Sequence, residues 1–333
     1  MKVSVLVSNY NYAQYLESTI NSVLNQTYRN YEIIIVDDGS TDNSYQVIEQ
    51  LHQKAPDKIT SIFQENQGQG AAFNTAFEAS SGEIIAFLDA DDIWLPNKLK
   101  KIVDIFRSQS DIIGIMHPLN VIDSDDKIIN HGKYGWIPDD NLAKIILKTG
   151  NAWHYPPTSG LAYRRSALNK VFPIDPVKWR LCADGCLVFC TAFLGEVVGL
   201  NDPLANYRIH DSNNHASSNL TVEKQQRSQS GIEMTNQYLN NFLKYIQYPE
   251  KVSLLRNLPY RRTQYYLQKK WDFAEGIEVS KLILDWHFYS KAKKNKYLIR
   301  FWLKNLSFLV IPNFWKQSQF NLIKLTATIF KKR

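Results

Sequence analysis

In "GEIIAFLDADDIWLP", residues 82–96, an apolar run ends in Asp89, Asp91 and Asp92. Carboxylates this close repel one another, and each resists being taken out of water. Two arrangements would relieve them. A hard divalent cation takes oxygen ligands, commonly one or two carboxylates completed by phosphate and water. Alternatively, the side chains cap a helix or turn by accepting backbone N–H groups. Other chemistry-bearing residues stand elsewhere: Ser8 and Tyr10 in "SNYN", Asp37 and Asp38 in "VDDGS", and Asn74 in "NQGQGAAFNTA". Asp184 opens the apolar stretch "DGCLVFCTAFLG", and His210 sits in "YRIHDSN". A carboxylate can take the proton of an attacking hydroxyl, and a histidine can ligate a metal.

The elements that must position these residues follow from periodicity. "KVSVLVSNYN", "YEIIIVDDGSTDNS", "KITSIFQEN" and "EIIAFLDADD" are apolar, β-branched runs that break into polar turns, as buried strands do. Between them "AQYLESTINSVLNQTY" repeats Leu16, Ile20, Val23 and Leu24 at helical spacing. "DNSYQVIEQLHQ" forms a second helix with Ser40 or Thr41 available as its cap, and "QGAAFNTAFEASSG" a third, closed by Gly82. "PNKLKKIVDIFRS" is a fourth, with Pro96 near its start. Alternating strands and helices imply a parallel sheet covered on both faces, with ligands at the carboxyl ends of the strands. Three polar clusters fall at such ends: Ser8 to Asn11, Asp37-Asp38, and Asp89 to Asp92. After about residue 110 the alternation fails. A hairpin is expected around Ser124-Asp125-Asp126, then a short helix in "DDNLAKIILKTG", a strand into a helix in "SGLAYRRSALNKVF", and two short strands around Pro203. The Ser/Asn-rich "DSNNHASSNLTVEKQQRSQSG" predicts a linker, followed by helical periodicity.

In order and spacing these pieces resemble the family 2 nucleotide-sugar glycosyltransferases of the GT-A fold. The likeness is carried by "VDDGS" and "LDADDIWLP", about fifty positions apart and each closing a strand, and by the later "DGCLVFCTAFLG" and "LANYRIH". It covers residues 1 to about 215, leaving 216–333 as a separate basic, aromatic-rich helical region. The resemblance implies an α/β, mostly parallel Rossmann-like sheet flanked by helices. It implies inverting transfer of a sugar from a nucleotide sugar, most often a UDP-sugar, to a hydroxyl of a glycan or lipid-linked acceptor in surface polysaccharide synthesis. Mn²⁺ or Mg²⁺ would neutralise the departing diphosphate. Asp91 would hold the metal, with His210 as a further ligand or diphosphate contact. Asp89 would face the donor ribose, Asp38 the uracil N–H, and Ser8, Tyr10 and Asn74 would complete the donor site. Asp184 would be the catalytic base. Two positions depart from the family's N-x-G-x-x-x-A-R-N-x-G: Phe73 replaces the arginine and Ala76 the last glycine. Ala183 likewise stands where an E-D pair has its glutamate. Asp37 and Asp92 read as structural acceptors.

Competing classes fit less well. Aspartate-nucleophile phosphohydrolases place a D-x-D after the first strand, and receiver modules are about 120 residues with the acidic pair after the first strand. Here the D-x-D follows the fourth strand and the pair the second. An inactive module on the same fold, binding only a nucleotide sugar or a partner, would not need both Asp91 and Asp184.

Charge is unevenly placed along the 333 residues: 251–333 carry 18 Lys+Arg against 4 Asp+Glu, and 1–250 carry 21 against 28. A basic tail suggests a polyanion. No nucleic-acid-binding module accompanies it. In 291–333 the cations alternate with Trp302, Phe308, Phe314, Trp315, Phe320 and Phe330, a mix suited to an interfacial helix at an anionic membrane, or to a bundle or oligomer contact. No run reaches the roughly 18–20 apolar residues that span a bilayer, and no leader is visible, so the expected location is cytoplasmic, peripheral at the inner membrane face. Cys182, Cys186 and Cys190, four apart, read as buried thiols in a reducing compartment. His154 has no assigned role.

Overall fold

A computed structural model describes residues 1–135, 141–152, 155–210, 222–267, 273–285, 293–299 and 301. Its strands are β1 (Val3–Asn9), β2 (Tyr31–Asp38), β3 (Ile59–Gln64), β4 (Ile84–Asp89), β5 (Ile93–Trp94), β6 (Ile112–Met116), β7 (Leu119–Ile122), β8 (Ile128–Tyr134), β9 (Leu161–Arg164), β10 (Glu196–Gly199) and β11 (Ala205–Arg208). The helices are α1 (Ala13–Leu24), α2 (Ser44–Lys54), α3 (Gln69–Ala79), α4 (Lys98–Ser108), α5 (Leu142–Thr149), α6 (Arg165–Leu168), α7 (Asp184–Thr191), α8 (Val222–Tyr245), α9 (Leu258–Leu267) and α10 (Phe273–Asp285).

Val3, Val5, Leu6 and Val7 on β1, and Ile33 to Val36 on β2, are buried whichever way they point. Only a sheet covered on both faces buries both parities of a strand. That sheet has seven strands in the order β10-β6-β9-β4-β1-β2-β3. Its pairings are parallel except those of β9, which runs antiparallel to β4 and β6. Helices supply the covers through apolar stripes, such as Leu16, Ile20 and Val23 on α1 and Leu99, Ile102, Val103 and Phe106 on α4. Register then sets the site. Ser8 lies between Val36 and Asp89, and Asn9 beside Asp37. A second sheet, β5-β11-β7-β8, contains the expected hairpin with Asp126 at positive φ, and pairs β11 parallel to β7. The antiparallel pairing of β11 with β5 brings the chain after Arg208 back to the end of β4.

Several local expectations are corrected. Gly82 does not close α3, which ends at Ala79; a Cβ at Gly82 would meet Ser4 N at 2.5 Å, so close approach to β1 accounts for the glycine. Neither Ser40 nor Thr41 caps α2. Asp42 accepts the Ser44 N–H (2.9 Å), while Ser40 is taken up by Asp37. Cys186 and Cys190 are buried, but Cys182 is exposed. The stretch expected as linker becomes helical from Val222.

The chain divides into two compact units, Met1–Ser253 and Leu254–Arg333, so α8 counts with the first although the helical region was expected to separate at 216. Leu239 and Leu243 of α8 are buried, and Tyr238 meets Trp179 edge-on with centroids 5.5 Å apart. In the second unit α9 and α10 pair through Arg261, whose Nε donates to Glu275 at 2.9 Å. Among the described residues no helix is long and apolar enough to cross a membrane. His154, and the tail aromatics from Trp302 onward, lie outside the described residues.

Candidate active site

The end of β2 is a turn built on two carboxylates. Gly39, at φ +74°, reverses the chain so that the Ser40 N–H reaches Asp37 Oδ2 (3.0 Å), while the Ser40 hydroxyl and Asn9 Nδ2 each donate to Oδ1 (2.6 Å). Asp37 is the structural acceptor expected. Asp38, only 2% exposed, accepts from Gln64 Nε2 (2.7 Å), the Gln67 N–H (3.0 Å) and the Gly68 N–H (2.7 Å). Its carboxylate is thereby fixed against the turn that opens α3.

The end of β4 is different. Asp89 is held well above the usual carboxylate range by burial, then by Asp92, Asp91 and Asp184; Thr158 opposes this. Burial and then Asp91 raise Asp92 in the same way, with Ser159 and Arg208 opposing. The positive partners come from β11. The Arg208 N–H donates to Asp92 Oδ1 (2.9 Å), and its buried guanidinium donates from Nε to the Asp91 carbonyl (2.7 Å) and pairs with Asp126 across the hairpin turn. Asp92 thus accepts across to β11 rather than within its own turn. Two residues on, His210 Nε2 lies 3.0 Å from Asp91 Oδ2. The two residues expected at a metal are adjacent. Tyr12 and Tyr15 pack on the imidazole, with centroids 5.6 and 4.9 Å away. Burial and then Asp91, Asp89 and Asp92 push the Tyr12 phenol far up, so it stays a neutral donor.

The donor set suits a hard divalent ion: one carboxylate and one imidazole together, with further carboxylates whose charge is under pressure. Among the described residues no group of three or more His, Cys, Asp or Glu side chains is arranged to hold a metal ion by itself.

Asp184 is the first residue of α7, and the Gly185 N–H donates to its Oδ1 (2.9 Å). Burial raises it to about 6, against those backbone donors. That value suits a base at neutral pH, ionised yet more basic than a free carboxylate. Tyr155, half-buried, lies beside it: a Cβ on Gly185 would meet the Tyr155 hydroxyl at 2.8 Å. Asp184 also acts electrostatically on Asp89, so the two carboxyl groups lie within range of one another.

Of the expected donor residues, Ser8 lies in register between β2 and β4, and Tyr10 is exposed on the loop above. Asn74 is engaged elsewhere. Its amide donates to the Ile174 carbonyl (2.8 Å) and accepts the Ile174 N–H (2.7 Å), so both polar ends are committed to holding that loop. Phe73, in the place of the family's arginine, is fully buried and meets Phe87 edge-on with centroids 5.1 Å apart, so no cation comes from that position. Sequence reasoning passed over Tyr12, Gln69, Tyr155 and Ser159, whose hydroxyl accepts the Asp89 N–H (3.0 Å). Tyr12 had a visible signal, the second of three aromatics in "NYNYAQY"; the others have none, because their partners lie far along the chain.

The model of glycosyl transferase family 2 matches residues 4–172. An uncharacterized glycosyltransferase of Nostoc sp. is 57% identical over 312 residues, 93% of this chain and 97% of that one. The putative glycosyltransferase EpsH of Bacillus subtilis is 32% identical over 218 residues, 62% of this chain and 61% of its own length. Among solved structures, S. aureus TarS 1-349 in complex with UDP-GlcNAc superposes with a TM-score of 0.53 at 20% identity, covering 92% of this chain and 91% of that chain. The mannosyltransferase PcManGT from Pyrobaculum calidifontis, in complex with GDP-Man and Mn²⁺, gives 0.52 at 16% identity over 93% and 85%.

Proposed function

The chain belongs to glycosyl transferase family 2 and has the GT-A fold, and from that premise we propose that it is an inverting, metal-dependent transferase using a UDP-sugar. The observation that carries this is the convergence of three chemistries in one unit. These are Asp38 fixed by the α3 turn, Asp91 with His210 3.0 Å away, and Asp184 raised to about 6 within electrostatic reach of Asp89.

Asp38 and Asp89, with Ser8 and Tyr10, form the donor site, and Asp38 accepts the imide N–H of a uracil. Donor complexes of the similar TarS, with UDP-GlcNAc, favour UDP over GDP; the GDP-Man complex of PcManGT keeps the alternative in view. Asp91 and His210 would hold Mn²⁺ or Mg²⁺, whose bound form offsets charge on the diphosphate. Asn74 is left out of the donor site because its amide is committed to Ile174. Asp184 takes the proton of the acceptor hydroxyl as its oxygen bonds to the anomeric carbon. The bond from that carbon to the diphosphate oxygen breaks, and its electron pair leaves with UDP. One displacement inverts the anomeric centre. Tyr12 stays protonated beside the acidic cluster and can donate a hydrogen bond there. The acceptor we propose is a hydroxyl of a growing glycan or a lipid-linked sugar in polysaccharide synthesis. The basic, aromatic residues 291–333 would attach the chain to an anionic membrane surface, at about 1 kcal/mol per cation near the leaflet.

Incubating the protein with a panel of sugar nucleotides, with Mn²⁺ or with chelator, tests the central statement. One UDP-sugar turned over only with metal, and giving the opposite anomer by NMR, supports it. Full turnover in chelator, or a retained anomer, overturns it. Co-sedimentation of the full chain with phosphatidylserine vesicles at low salt tests the tail, and absence of binding removes the membrane role.

A further inference from the structure

The start of α3 touches three parts of the site: Asp38, Asp89 and the segment before Asp184. Its main-chain N–H groups have no partner within the helix, as at any helix start. Gln67 and Gly68 give theirs to Asp38 (3.0 and 2.7 Å). Gln69 and Gly70 give theirs to the carbonyls of Arg180 (2.9 Å) and Trp179 (3.1 Å), in the segment that leads into Asp184. The approach is so tight that a Cβ at Gly68, which sits at φ +93°, would lie 2.5 Å from the Arg180 carbonyl oxygen.

The Gln69 side chain spans the remaining gap. Its Oε1 accepts the N–H of Ala183 (2.9 Å), and its Nε2 donates to Asp89 Oδ1 (3.3 Å). The amide's orientation is determined, because a backbone N–H can only donate and a carboxylate oxygen accepts. Ala183 is the residue before Asp184 and the N-cap of α7, so its N–H has no helical acceptor. One carboxamide therefore joins the donor carboxylate on β4 to the backbone that carries the base.

We propose that Gln69 is a positioning residue: by bridging Asp89 and the Ala183 N–H it sets the distance between the bound donor and Asp184. This rests on Asp184 being the base. Two groups that react only when their atoms meet within a few tenths of an ångström lose rate when that spacing loosens, while each keeps its own ligand. Gln69 touches no reacting atom, so its removal acts on turnover more than on donor affinity.

The test uses the full chain, UDP with Mn²⁺ as the binding probe, and the sugar nucleotide selected by the panel for turnover. Gln69→Met keeps length and removes both polar contacts. We expect kcat to fall at least about tenfold, while KM for the donor and Kd for UDP stay within about threefold and Tm changes little. Gln69→Glu keeps an acceptor for Ala183 but sets a carboxylate against Asp89. Its UDP binding should weaken beyond that of Gln69→Met. Unchanged kcat in Gln69→Met overturns the proposal, and so does an equal loss of UDP binding and of Tm, which marks a purely structural role. Asp184→Asn in the same assay separates the two levels. Wild-type turnover in Asp184→Asn removes the base and Gln69's role together. A dead Asp184→Asn beside an unimpaired Gln69→Met removes Gln69 alone.

Discussion

The carboxyl ends of β2 and β4 both present neighbouring aspartates, and the protein treats them in opposite ways. Asp37 and Asp38 are each met by three hydrogen-bond donors from neighbouring residues, so their charge is distributed into the fold. Asp89, Asp91 and Asp92 are pressed together with fewer donors, and burial and mutual repulsion drive Asp89 and Asp92 well above the usual carboxylate range. A carboxylate given three donors by the fold is held in place by them, and of its roughly four acceptor sites one remains, which on Asp38 is the one proposed for a uracil N–H. The cluster at the end of β4 stays under electrostatic pressure, and its partners Arg208 and His210 come from β11 and the residues just after it. The two strand ends, on either side of β1, thus differ in how their charge is met.

The comparison breaks most sharply at Asp91. Asp91→Asn should abolish Mn²⁺-dependent UDP binding and lower turnover by about a hundred- to a thousandfold, the range in which a lost charge-stabilising contact falls. Calorimetry with UDP in the presence and absence of Mn²⁺ measures it. Binding that is unchanged by the substitution would place the ion elsewhere.

Asp184→Asn should reduce turnover by about two to four orders of magnitude, the usual worth of a general base, while Kd for UDP holds steady. The pH dependence carries a sign check. Asp184 works ionised, so wild-type kcat should fall as pH drops through about 6. Its folded pKa lies above the ordinary 3.8, so the folded chain binds this proton more tightly than the unfolded one. The group's contribution to stability therefore rises over the same descent, from about 6 towards 3.8. Rate and stability moving in opposite directions on acidification would identify the group; a rate that is flat down to pH 5 would exclude it.

The strand ends can be set against each other directly. Asp37→Asn leaves an amide nitrogen facing donors from Asn9 and Ser40, and should cost about 2 kcal/mol of unfolding free energy. Asp92→Asn keeps an oxygen for the Arg208 N–H and removes one of the repelling charges, so without metal its Tm should match or exceed the wild type. Equal losses in the two variants would mean that the distinction between the ends is not energetic.

The four parallel strands and their helices were legible because their signals are local: β-branched runs broken by polar turns, buried on both faces in β1, β2 and β4, although the edge strand β3, expected buried, is half-exposed. The pairing of Asp91 with His210, 119 positions apart, was reachable only through the family resemblance. What stayed hidden are contacts made by side chains with no chemistry of their own. Gln69 reads as an ordinary helix residue until the segment at Arg180 folds onto it, and Ser159 as one more loop serine until its hydroxyl meets the Asp89 N–H. Cys182 misled for the opposite reason: its four-residue spacing from Cys186 suggests one helical face, but α7 begins only at Asp184 and Cys182 lies in the turn before it, at φ +55°.

Asn74 tests the smallest and most specific part of this division. A motif match assigns it to the donor, whereas its geometry assigns it to the loop at Ile174, with both backbone groups of that residue satisfied by one amide. Asn74→Ala should then cost about 1–2 kcal/mol in chemical denaturation, the net worth of two partly buried hydrogen bonds. Kd for UDP should stay within about twofold, because Asp38 and its donors from Gln64, Gln67 and Gly68 are untouched. Asn74→Asp should cost more than alanine, since a carboxylate keeps the acceptor for the Ile174 N–H but sets an oxygen against the Ile174 carbonyl. If UDP affinity instead dropped about tenfold in Asn74→Ala while the denaturation midpoint held, a free-energy difference of about 1.4 kcal/mol would belong to the ligand rather than the fold. The amide would then have to leave Ile174 when the donor binds, and the loop at 174 would be part of the donor site.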